Sequence, residues 1–435
     1  MKPSLLHLFF LSLLTCSFIA CKETPQEPSV APSTVVYECN ERLFAKANAF
    51  QSIEAYVPEL ERMQVNVLWL MPIHPRGAIK SVGSPYCIKN HKAIDPAFGT
   101  LDDLKSLVNT CHNRNIRVVL DWVANHTSWD NPWVKNHPEW FQAAQTGDEK
   151  MWNDVTFLDY SQQAVRDSMT DCMLYWINEA GIDGFRCDYA HGVPNDWWKE
   201  AISAIQAVKP DAFLLAETHN TSLYNAGFNL LYSWNYLTAI ENLYNGTGSV
   251  QSLISVSDKE FKSTPEGKDR LRYITTHDEC NEKAPSSIYT NIAGEMSAFC
   301  LTIFIGGVPM IYSSQEIGTL SKISFFDYRI LSFNSKTAVS TRDTMAELMR
   351  IYQDTRLLRT GTRQIGSLDP KVPYVEYTRG GNNLLVVCNA QNEPKSVQLP
   401  DAYKGAKVLD MKTDEKTVLP ETIDLAAYEY RIFKK

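Results

Sequence analysis

The sequence predicts a closed barrel of eight parallel β-strands with surrounding helices, followed by an antiparallel β-sandwich. Short apolar runs alternate with longer amphipathic segments, eight such units fit into roughly 320 residues, and short strands with turns replace this pattern after about residue 358. Strands that alternate with helices pair in parallel through right-handed crossovers, which favours a (β/α)8 barrel. The barrel is expected over residues 35–357, with a short insertion at about 122–160, and the β-sandwich over 358–435. An open doubly wound sheet is the alternative architecture.

Eight short runs rich in β-branched and aromatic residues are the candidate barrel strands. They lie at residues 35–37, 67–70, 116–120, 184–186, 213–215, 230–232, 273–274 and 309–312. The segments between them have helical periodicity. Residues 161–181 place their apolar side chains on one face, with Ser161 as the expected N-cap and Gly181 as the expected left-handed end. Thr100 and Asp103 form a capping box before another such segment.

The first residues have a composition of their own. Residues 1–21 are typical of a bacterial signal peptide, because Lys2 precedes an apolar stretch that is too short to span a membrane. Cys21 follows a small residue, as in lipoprotein signals, so we expect export and a lipid on Cys21, at the periplasmic face or the cell surface. Plain secretion with a cut near Ala20 is the alternative. Residues 22–34 are polar and rich in proline, as expected of a tether.

Composition excludes several classes of protein and partner. The chain of 435 residues has 42 Lys and Arg against 50 Asp and Glu, a net charge of −8, so it lacks the basic footprint that nucleic acid binding needs. Its 44% hydrophobic content is that of a globular protein. It has ten cysteines and no C-x-x-C pair, so zinc and dithiol motifs find no support. Whether any cysteines form disulfides is left open by the sequence.

Acidic residues follow four of the apolar runs. These residues are Asp121, Asp188, Glu217 and Asp278. In a parallel barrel the carboxyl ends of all strands point to the same rim, so the four acids are expected to converge although about 160 residues separate the first from the last. An acid at a single strand end is usually a cap or a loop ion pair. Four acids in this arrangement indicate an active site.

These segments resemble the signatures of the α-amylase family of glycoside hydrolases. The four signatures are DWVANH at 121–126, GFRCD at 184–188, Glu217 after LLA at 214–216, and His277 with Asp278. Supporting segments are LMPI at 70–73, GSPY at 83–86, and GVPMIY at 307–312 with Gln315 and Glu316. The resemblance runs in the right order from about residue 35 to the C-terminus. It implies a barrel enzyme that hydrolyses α-glucosidic bonds with retention of configuration.

The resemblance also implies a role for individual residues. Asp188 corresponds to the nucleophile, Glu217 to the general acid and then base, and Asp278 to the carboxylate that stabilises the transition state. Retention requires the nucleophile and the acid roughly 5 to 5.5 Å apart, and the ends of consecutive strands place Asp188 and Glu217 at about that distance. Tyr86 corresponds to the stacking platform under the reacting sugar. Asp121 is implied to organise the pocket by hydrogen bonding.

Three basic side chains lie close to these acids in the sequence. Arg186 precedes Asp188 by two residues on one strand, so both side chains point to the same face. We expect this cation to keep the pKa of Asp188 low, whereas Glu217 needs a raised pKa to carry a proton near neutrality. A structural ion pair is the other interpretation of Arg186. His126 and His277 are expected to donate hydrogen bonds to glucose hydroxyls, with satisfied core histidines as the alternative.

Two features depart from the family pattern. His191 and Gly192 stand where many α-amylases have a Lys-His pair for leaving-group subsites, which makes His191 a candidate substrate-binding residue and weakens the case for a long-chain endo-amylase. Phe157 stands where the family often has a calcium-ligating aspartate. Asn125 is a candidate for substrate binding and for one calcium ligand, but calcium takes six to eight oxygen ligands. We therefore expect no tightly held calcium at that site and no organic cofactor.

The sequence therefore predicts an exported, lipid-anchored retaining α-glucan hydrolase that acts on starch-type glucans or maltooligosaccharides. Its expected partner is this substrate, and its membrane contact is the anchor only. An α-glucan transglycosylase, in which a second sugar attacks the glycosyl-enzyme, uses the same residues and is the alternative. A non-catalytic glycan-binding barrel is disfavoured because such a protein should lack at least one of the three acids. The oligomeric state, the chain-length preference and the choice between α-1,4 and α-1,6 bonds stay open.

Overall fold

The computed structural model describes residues 33–143 and 152–435. The expected signal peptide, Cys21 and the tether up to residue 32 lie outside the described residues. None of the described helices is both long and apolar enough to cross a membrane.

Ten strands build the barrel and its insertion. They are β1 (Val36–Cys39), β2 (Val67–Leu70), β3 (Arg117–Val123), β4 (His126–Ser128), β5 (Val155–Phe157), β6 (Gly184–Asp188), β7 (Phe213–Ala216), β8 (Leu230–Leu231), β9 (Asp269–Arg272) and β10 (Val308–Tyr312). All but β4 and β5 form a closed barrel in the order β1-β2-β3-β6-β7-β8-β9-β10, in which β10 pairs in parallel with β1. The antiparallel ladder of β4 and β5 belongs to the insertion. The predicted eight-stranded parallel barrel is confirmed.

The barrel strands are buried because both of their faces pack against apolar side chains. Side chains that point inward, among them Val67, Trp69, Leu215 and Met310, form one apolar cluster. Side chains that point outward pack on the helices in a second and larger cluster. Such burial on two sides is typical of parallel sheets and accounts for the continuous apolar runs in the sequence.

The seventh barrel strand lies before the run that was expected to form it. The prediction of residues 273–274 is wrong, because β9 spans Asp269–Arg272 and pairs with β8 and β10. Three of the four residues in β9 are charged, so a search for apolar runs does not find this strand. These charges are satisfied inside the protein: Arg272 forms an ion pair with Glu260, and the Arg270 guanidinium donates to backbone carbonyls of residues 219 and 232.

Helices connect the strands and cover the barrel. In the described ranges they are α1 (Ala49–Arg62), α2 (Leu101–His112), α3 (Pro132–Asn136), α4 (Gln163–Ala180), α5 (Asn195–Val208), α6 (Ser222–Ala226), α7 (Trp234–Tyr244), α8 (Val250–Ser263), α9 (His277–Glu282), α10 (Pro285–Ile288), α11 (Ile292–Phe304), α12 (Lys336–Asp354) and α13 (Leu357–Thr360). The capping box of Thr100 and Asp103 before α2 is confirmed. Gly181 ends α4 with φ +69°, as expected, but Ser161 is not its N-cap. The backbone N–H of Ser161 donates to the Asp159 carboxylate in a turn, and the helix starts two residues later.

Antiparallel strands follow the barrel. They are β11 (Thr362–Asp369), β12 (Val372–Arg379), β13 (Asn382–Cys388), β14 (Lys395–Gln398), β15 (Lys407–Asp410), β16 (Glu415–Val418), β17 (Thr422–Leu425) and β18 (Tyr430–Lys434). Six of them form one sheet in the order β11-β12-β13-β18-β15-β16, and β14 pairs with β17 in a separate ladder. Val387, Val397, Leu425 and Phe433 from these two layers share one apolar cluster. The predicted C-terminal antiparallel fold is confirmed.

All cysteines of the described residues are buried and unpaired. These are Cys39, Cys87, Cys111, Cys172, Cys187, Cys280, Cys300 and Cys388. In this part of the chain, therefore, the fold depends on packing and not on disulfides.

Candidate active site

A buried arginine lies at the centre of the acidic cluster. Arg186 is the third residue of β6, and its side chain has no exposed surface. Its Nη1 atom donates to Asp121 at 2.8 Å and to Asp188 at 2.9 Å, and its Nη2 atom lies 3.1 Å from Glu217 Oε2. Its Nε atom donates to the Tyr232 hydroxyl at 3.3 Å. One guanidinium therefore gathers three carboxyl groups that come from three neighbouring barrel strands.

The three expected catalytic acids occupy the carboxyl rim of the barrel. Asp188 is the last residue of β6, and Glu217 directly follows β7. Asp278 lies in the first turn of α9, where the hydroxyl of the capping residue Thr276 accepts from its backbone N–H. The Glu217 carboxylate accepts a hydrogen bond of 2.7 Å from the backbone N–H of Tyr189. Each acid is thus held by the backbone at the end of its own strand or the start of its helix.

These acids line one cavity of about 350 Å³. Its lining residues are Val82, Ser84, Tyr86, His126, Trp152, Asp154, Val155, Asp188, Tyr189, Glu217, His277, Asp278, Phe325 and Phe326. The structure therefore brings six of the ten residues expected from the sequence to the cavity surface. Asp121 and Arg186 lie fully buried and bind to each other beside the cavity.

Burial sets the protonation of two of the three acids that bind Arg186, namely Glu217 and Asp188. Burial raises the pKa of Glu217 to about 7. The positive charge of Arg186 lowers this pKa, and the negative charges of Asp188 and Asp278 raise it further. The raised pKa expected for Glu217 is confirmed. Burial also raises the pKa of Asp188 to about 6, although Arg186 lowers it. The expectation of a low pKa for Asp188 is wrong, because loss of hydration outweighs the single cation that Asp188 shares with two other carboxyl groups.

A chain of hydrogen bonds runs from Asp121 to the first barrel strand. The Tyr86 hydroxyl donates to Asp121 Oδ2 at 3.0 Å and lies 2.8 Å from His277 Nε2, while His277 Nδ1 lies 2.5 Å from Glu38 Oε1. The indole N–H of Trp69 also donates to Asp121 Oδ2, at 3.2 Å. The rings of Tyr86 and His277 stack with centroids 5.2 Å apart. The orientation of the Tyr86 ring at the cavity is therefore fixed from two sides.

Glu38 is a site residue that was not predicted from the sequence. It lies within β1, is fully buried and is the partner of His277. Burial lowers the pKa of His277, but the charges of Asp278 and Glu38 outweigh it and raise this pKa to about 10. His277 is therefore an imidazolium at neutral pH and donates through both ring nitrogens. The signal was present in the sequence, because Glu38 directly follows an apolar run, like the other four acids.

The remaining expected residues lie at the insertion and behind β6. His126, in β4, lines the cavity, and burial lowers its pKa to about 4, so its ring is neutral. Asn125 is buried beside it, 3.4 Å from His126 Nδ1. His191 is exposed, and its ring packs on Tyr189 with centroids 4.1 Å apart. The structure does not place Asn125 or His191 on the cavity surface, so their roles in substrate binding stay predictions.

Aromatic residues complete the cavity, and three of them, Tyr189, Phe325 and Phe326, were not singled out as cavity residues from the sequence. Phe325 and Phe326 come from the long connection after β10, and the Phe325 ring packs edge-on against Tyr86 and His277. Tyr189 and Trp152 lie on the other side, with ring centroids 4.9 Å apart. Long connections without periodicity carry no signal for such side chains.

The expectation that no calcium is tightly held at Asn125 stays a prediction, and three observations bear on it. Phe157, which pairs with His126 across the β4–β5 ladder, is an apolar side chain in an apolar cluster. Within the described ranges, no three His, Cys, Asp or Glu side chains are grouped so that they could hold a metal ion. Calcium needs several carboxylate or carbonyl oxygens, and Asn125 supplies one side-chain oxygen.

Paired carboxyl groups, one of them half protonated near neutrality, are what glycosidic bond cleavage requires, and barrel enzymes carry their chemistry at the carboxyl rim. The fold and the site thus define a protein of the glycoside hydrolase class. The chain belongs to the α-amylase family, since the family model described as "Alpha amylase, catalytic domain" matches residues 50–157 and 149–360.

Individual relatives agree with this membership. Alpha-amylase 3 of Dictyoglomus thermophilum is 25% identical over 329 residues, which are 66% of this chain and 64% of the relative. The cyclomaltodextrinase of Geobacillus thermopakistaniensis is 24% identical over 403 residues, 84% of this chain and 66% of the relative. The chain thus spans just under two thirds of the length of these curated relatives. The crystal structure of a noncanonic maltogenic alpha-amylase from Thermotoga neapolitana has a TM-score of 0.82 at 26% identity, covering 92% of this chain and 98% of that one.

Proposed function

We propose that this protein is a retaining α-glucan hydrolase that cleaves α-glucosidic bonds of maltooligosaccharides or starch-type glucans. The observation that carries the proposal is the Arg186 guanidinium, which contacts Asp188 at 2.9 Å and Glu217 at 3.1 Å beside one cavity. A planar group that contacts both carboxyl groups keeps them near each other, as retention requires. The names of the relatives, an α-amylase and a cyclomaltodextrinase, support a glucan as the substrate.

The reaction follows from the protonation of these groups. The Asp188 carboxylate attacks the anomeric carbon while Glu217 gives its proton to the glycosidic oxygen, so the bond to the leaving sugar breaks and a glycosyl ester forms. Glu217, now a carboxylate, takes a proton from water, whose oxygen attacks the anomeric carbon and releases Asp188. Asp278 faces the same cavity and stabilises the positive charge that develops on the sugar ring.

Side chains around the acids hold the reacting sugar. The Tyr86 ring is held by hydrogen bonds at its hydroxyl, so its face serves as a rigid platform for a glucose ring. His126 and His277 both line the cavity: the neutral His126 ring supplies hydrogen bonds to sugar hydroxyls, and His277, whose ring nitrogens contact Glu38 and Tyr86, holds the Tyr86 hydroxyl. Asp121 acts indirectly, since it holds Arg186 and the Tyr86 hydroxyl.

Substitutions of the two acids test the proposal. Asp188→Asn is expected to lower kcat on maltoheptaose by roughly 10⁴-fold or more, because no covalent intermediate forms. Glu217→Gln is expected to lose more activity on glucans than on aryl glycosides, whose leaving groups need less protonation. Asp154→Asn is the matched control, an acid on the same cavity wall that forms no ion pair with Arg186. It is expected to keep most of the turnover.

NMR of the first product gives the stereochemistry. The α-anomer is expected first, and a β-anomer would refute retention. Near-normal turnover by Asp188→Asn would refute the assignment of the nucleophile. Products longer than the substrate would identify transfer to a second sugar as the main reaction.

We also propose that the protein is exported and anchored by a lipid on Cys21. The support is the sequence alone: an apolar signal, a small residue before Cys21, and a proline-rich tether after it. Cys21→Ala is expected to move the protein from the membrane fraction to the soluble fraction, while Cys16→Ala, inside the signal, leaves it anchored. A mature N-terminus at Cys21 without lipid mass would contradict the anchor and support plain secretion.

A further inference from the structure

Two loops form one wall of the catalytic cavity. The 76–88 loop follows β2 and contributes Val82 and Ser84 to the cavity surface. The 319–334 loop follows β10 and contributes Phe325 and Phe326, the latter two stacked with centroids 4.4 Å apart. These loops come from strands that both flank β1, so they lie close together on one side of the barrel rim.

Each loop is fixed at its base. In the 76–88 loop the N–H of Gly77 donates to the carbonyl of Cys87, and Arg76 and Ile88 form a backbone bridge. The 319–334 loop donates backbone hydrogen bonds at residues 323, 329 and 331 to carbonyls of residues 280, 42 and 43. The segment that carries the two phenylalanines lies between these anchor points. How the wall is held at the cavity therefore depends on contacts between the two loops.

Besides the edge-on packing of Phe325 against Tyr86, a charged side chain joins the two loops. Arg76 Nη1 donates to the carbonyl of Gly83 at 2.8 Å and to the carbonyl of Phe326 at 2.9 Å. Gly83 lies between the cavity residues Val82 and Ser84. Arg76 therefore holds this part of its own loop and joins it to the 319–334 loop. Hydrogen bonds from a charged donor are stronger than neutral ones, and here both acceptors are backbone carbonyl oxygens. The two halves of the wall are thus tied at the residues that face the cavity.

The outer surface of these loops carries exposed apolar side chains among polar ones. Among the described residues, four large hydrophobic side chains that are exposed lie on the two loops. They are Ile79, Val82, Leu320 and Ile330. Apolar side chains suit the C–H faces of glucose rings. The cavity volume of about 350 Å³ is at the lower end for small-molecule sites, which leaves room for a few sugar units.

We propose that Arg76 is a positioning residue that determines substrate specificity, an inference that rests on the proposed function. By tying the two loops, Arg76 closes one end of the cavity. The cavity then takes short maltooligosaccharides and the ends of glucan chains, and excludes the interior of a long chain, which would need an opening on both sides. Arg76 touches neither the reacting atoms nor the three acids, and acts through the loop residues Gly83 and Phe326.

The pattern of cleavage tests this inference. Arg76→Met keeps the length of the side chain and removes its donors, so the wall is expected to open. On amylose, the fall in iodine colour per reducing end released is expected to rise at least about fivefold, because the loss of even one ordinary hydrogen bond has that effect and Arg76 makes two. On maltotriose, KM is expected to rise by a similar factor while kcat changes less than about twofold. Arg76→Lys, which keeps a charged donor, is expected to restore part of the wild-type pattern.

Arg329→Met is the matched control. Among the residues that the structure describes, its guanidinium donates within the 319–334 loop alone, to the Lys322 carbonyl and the Ser321 hydroxyl. It is therefore expected to leave the cleavage pattern unchanged. Equal patterns in Arg76→Met and the wild type would overturn the inference, and so would an equal shift in Arg329→Met, because the effect would then be general loosening of one loop.

Amide hydrogen exchange separates failure of this inference from failure of the proposed function. Arg76→Met is expected to speed exchange in both loops together, and Arg329→Met in the 319–334 loop alone. Wild-type protein that cleaves no glucan would refute the proposed function and the substrate preference with it. Unchanged exchange in Arg76→Met would overturn the bridge itself, even if glucans are cleaved as proposed.

Discussion

Removing the charge of Asp188 is expected to lower the pKa of Glu217. Burial raises this pKa to about 7, Arg186 opposes it, and Asp188 and Asp278 raise it further. Two unit charges about 5.5 Å apart repel by about 3 kcal/mol at an effective dielectric constant of about 20, which equals about 2 pKa units. In Asp188→Asn the pKa of Glu217 is therefore expected at about 5. The same charge disappears when Asp188 becomes a glycosyl ester, so the shift would turn Glu217 from an acid into a base in mid-reaction.

Carbon-13 NMR of protein labelled at the glutamate carboxyl groups measures this shift, and Glu217→Gln assigns the resonance. Asp278→Asn is the control, since it removes a charge from the same cavity. The Asp278 side chain is 54% exposed, so water screens it and the shift is expected to be less than half as large. A Glu217 pKa that stays within about 0.5 units of the wild-type value in Asp188→Asn would refute the reasoning.

Four further predictions concern the site and the fold. The pH profile of kcat/KM on maltotriose is expected to be a bell, falling below about pH 6, where Asp188 takes up a proton, and above about pH 7, where Glu217 loses its proton. Glu38→Gln is expected to lower the pKa of His277 from about 10, because burial keeps lowering it while the raising charge of Glu38 is lost; imidazole NMR measures this titration. Gly184→Ala is expected to lower the free energy of unfolding in urea by about 3 kcal/mol, because a Cβ at its φ of +146° would lie 2.0 Å from a carbonyl of the next strand. A chelator is expected to leave the melting temperature unchanged, because no group of metal-binding side chains occurs in the described ranges.

Each of these predictions has an outcome that contradicts it. Activity that stays constant up to about pH 9 would show that Glu217 is not the acid. If His277 titrates identically in Glu38→Gln and the wild type, Glu38 does not raise the pKa of His277. Gly181→Ala is the control for the glycine: its φ is +69° with nothing within 4 Å, so only about 1 kcal/mol should be lost. A fall in melting temperature of more than about 5 °C with chelator would indicate a metal site.

The barrel could be predicted from the sequence because both faces of its strands are buried, and such strands have uninterrupted runs of apolar residues. Strand β9 has no such run, since three of its four residues are charged, and Arg270 and Arg272 find partners inside the protein that no local pattern reveals. The three acids could be predicted for a different reason. They follow strand ends, and the geometry of a parallel barrel brings all such ends to one rim.

What could not be predicted depends on distant contacts. The sequence shows that Arg186 lies two residues before Asp188. It does not show that Arg186 is shared among three carboxyl groups or that Asp188 is buried, so the predicted direction of the Asp188 pKa shift was wrong. The pairing of Glu38 with His277 joins residues that are 239 positions apart. Loop side chains such as Phe325 reach the cavity through the path of their connection, which has no periodicity.

The eight buried thiols can be used to measure local opening of the folded protein. A colorimetric thiol reagent added to native protein should find no accessible sulfur among them, since all are covered in the folded state. The rate of labelling then measures how often each region opens, and peptide mapping assigns every label, from Cys39 in the first barrel strand to Cys388 in the terminal sheet. Because no covalent link among these sulfurs has to form, the described fold can be produced in a reducing host without an oxidative refolding step.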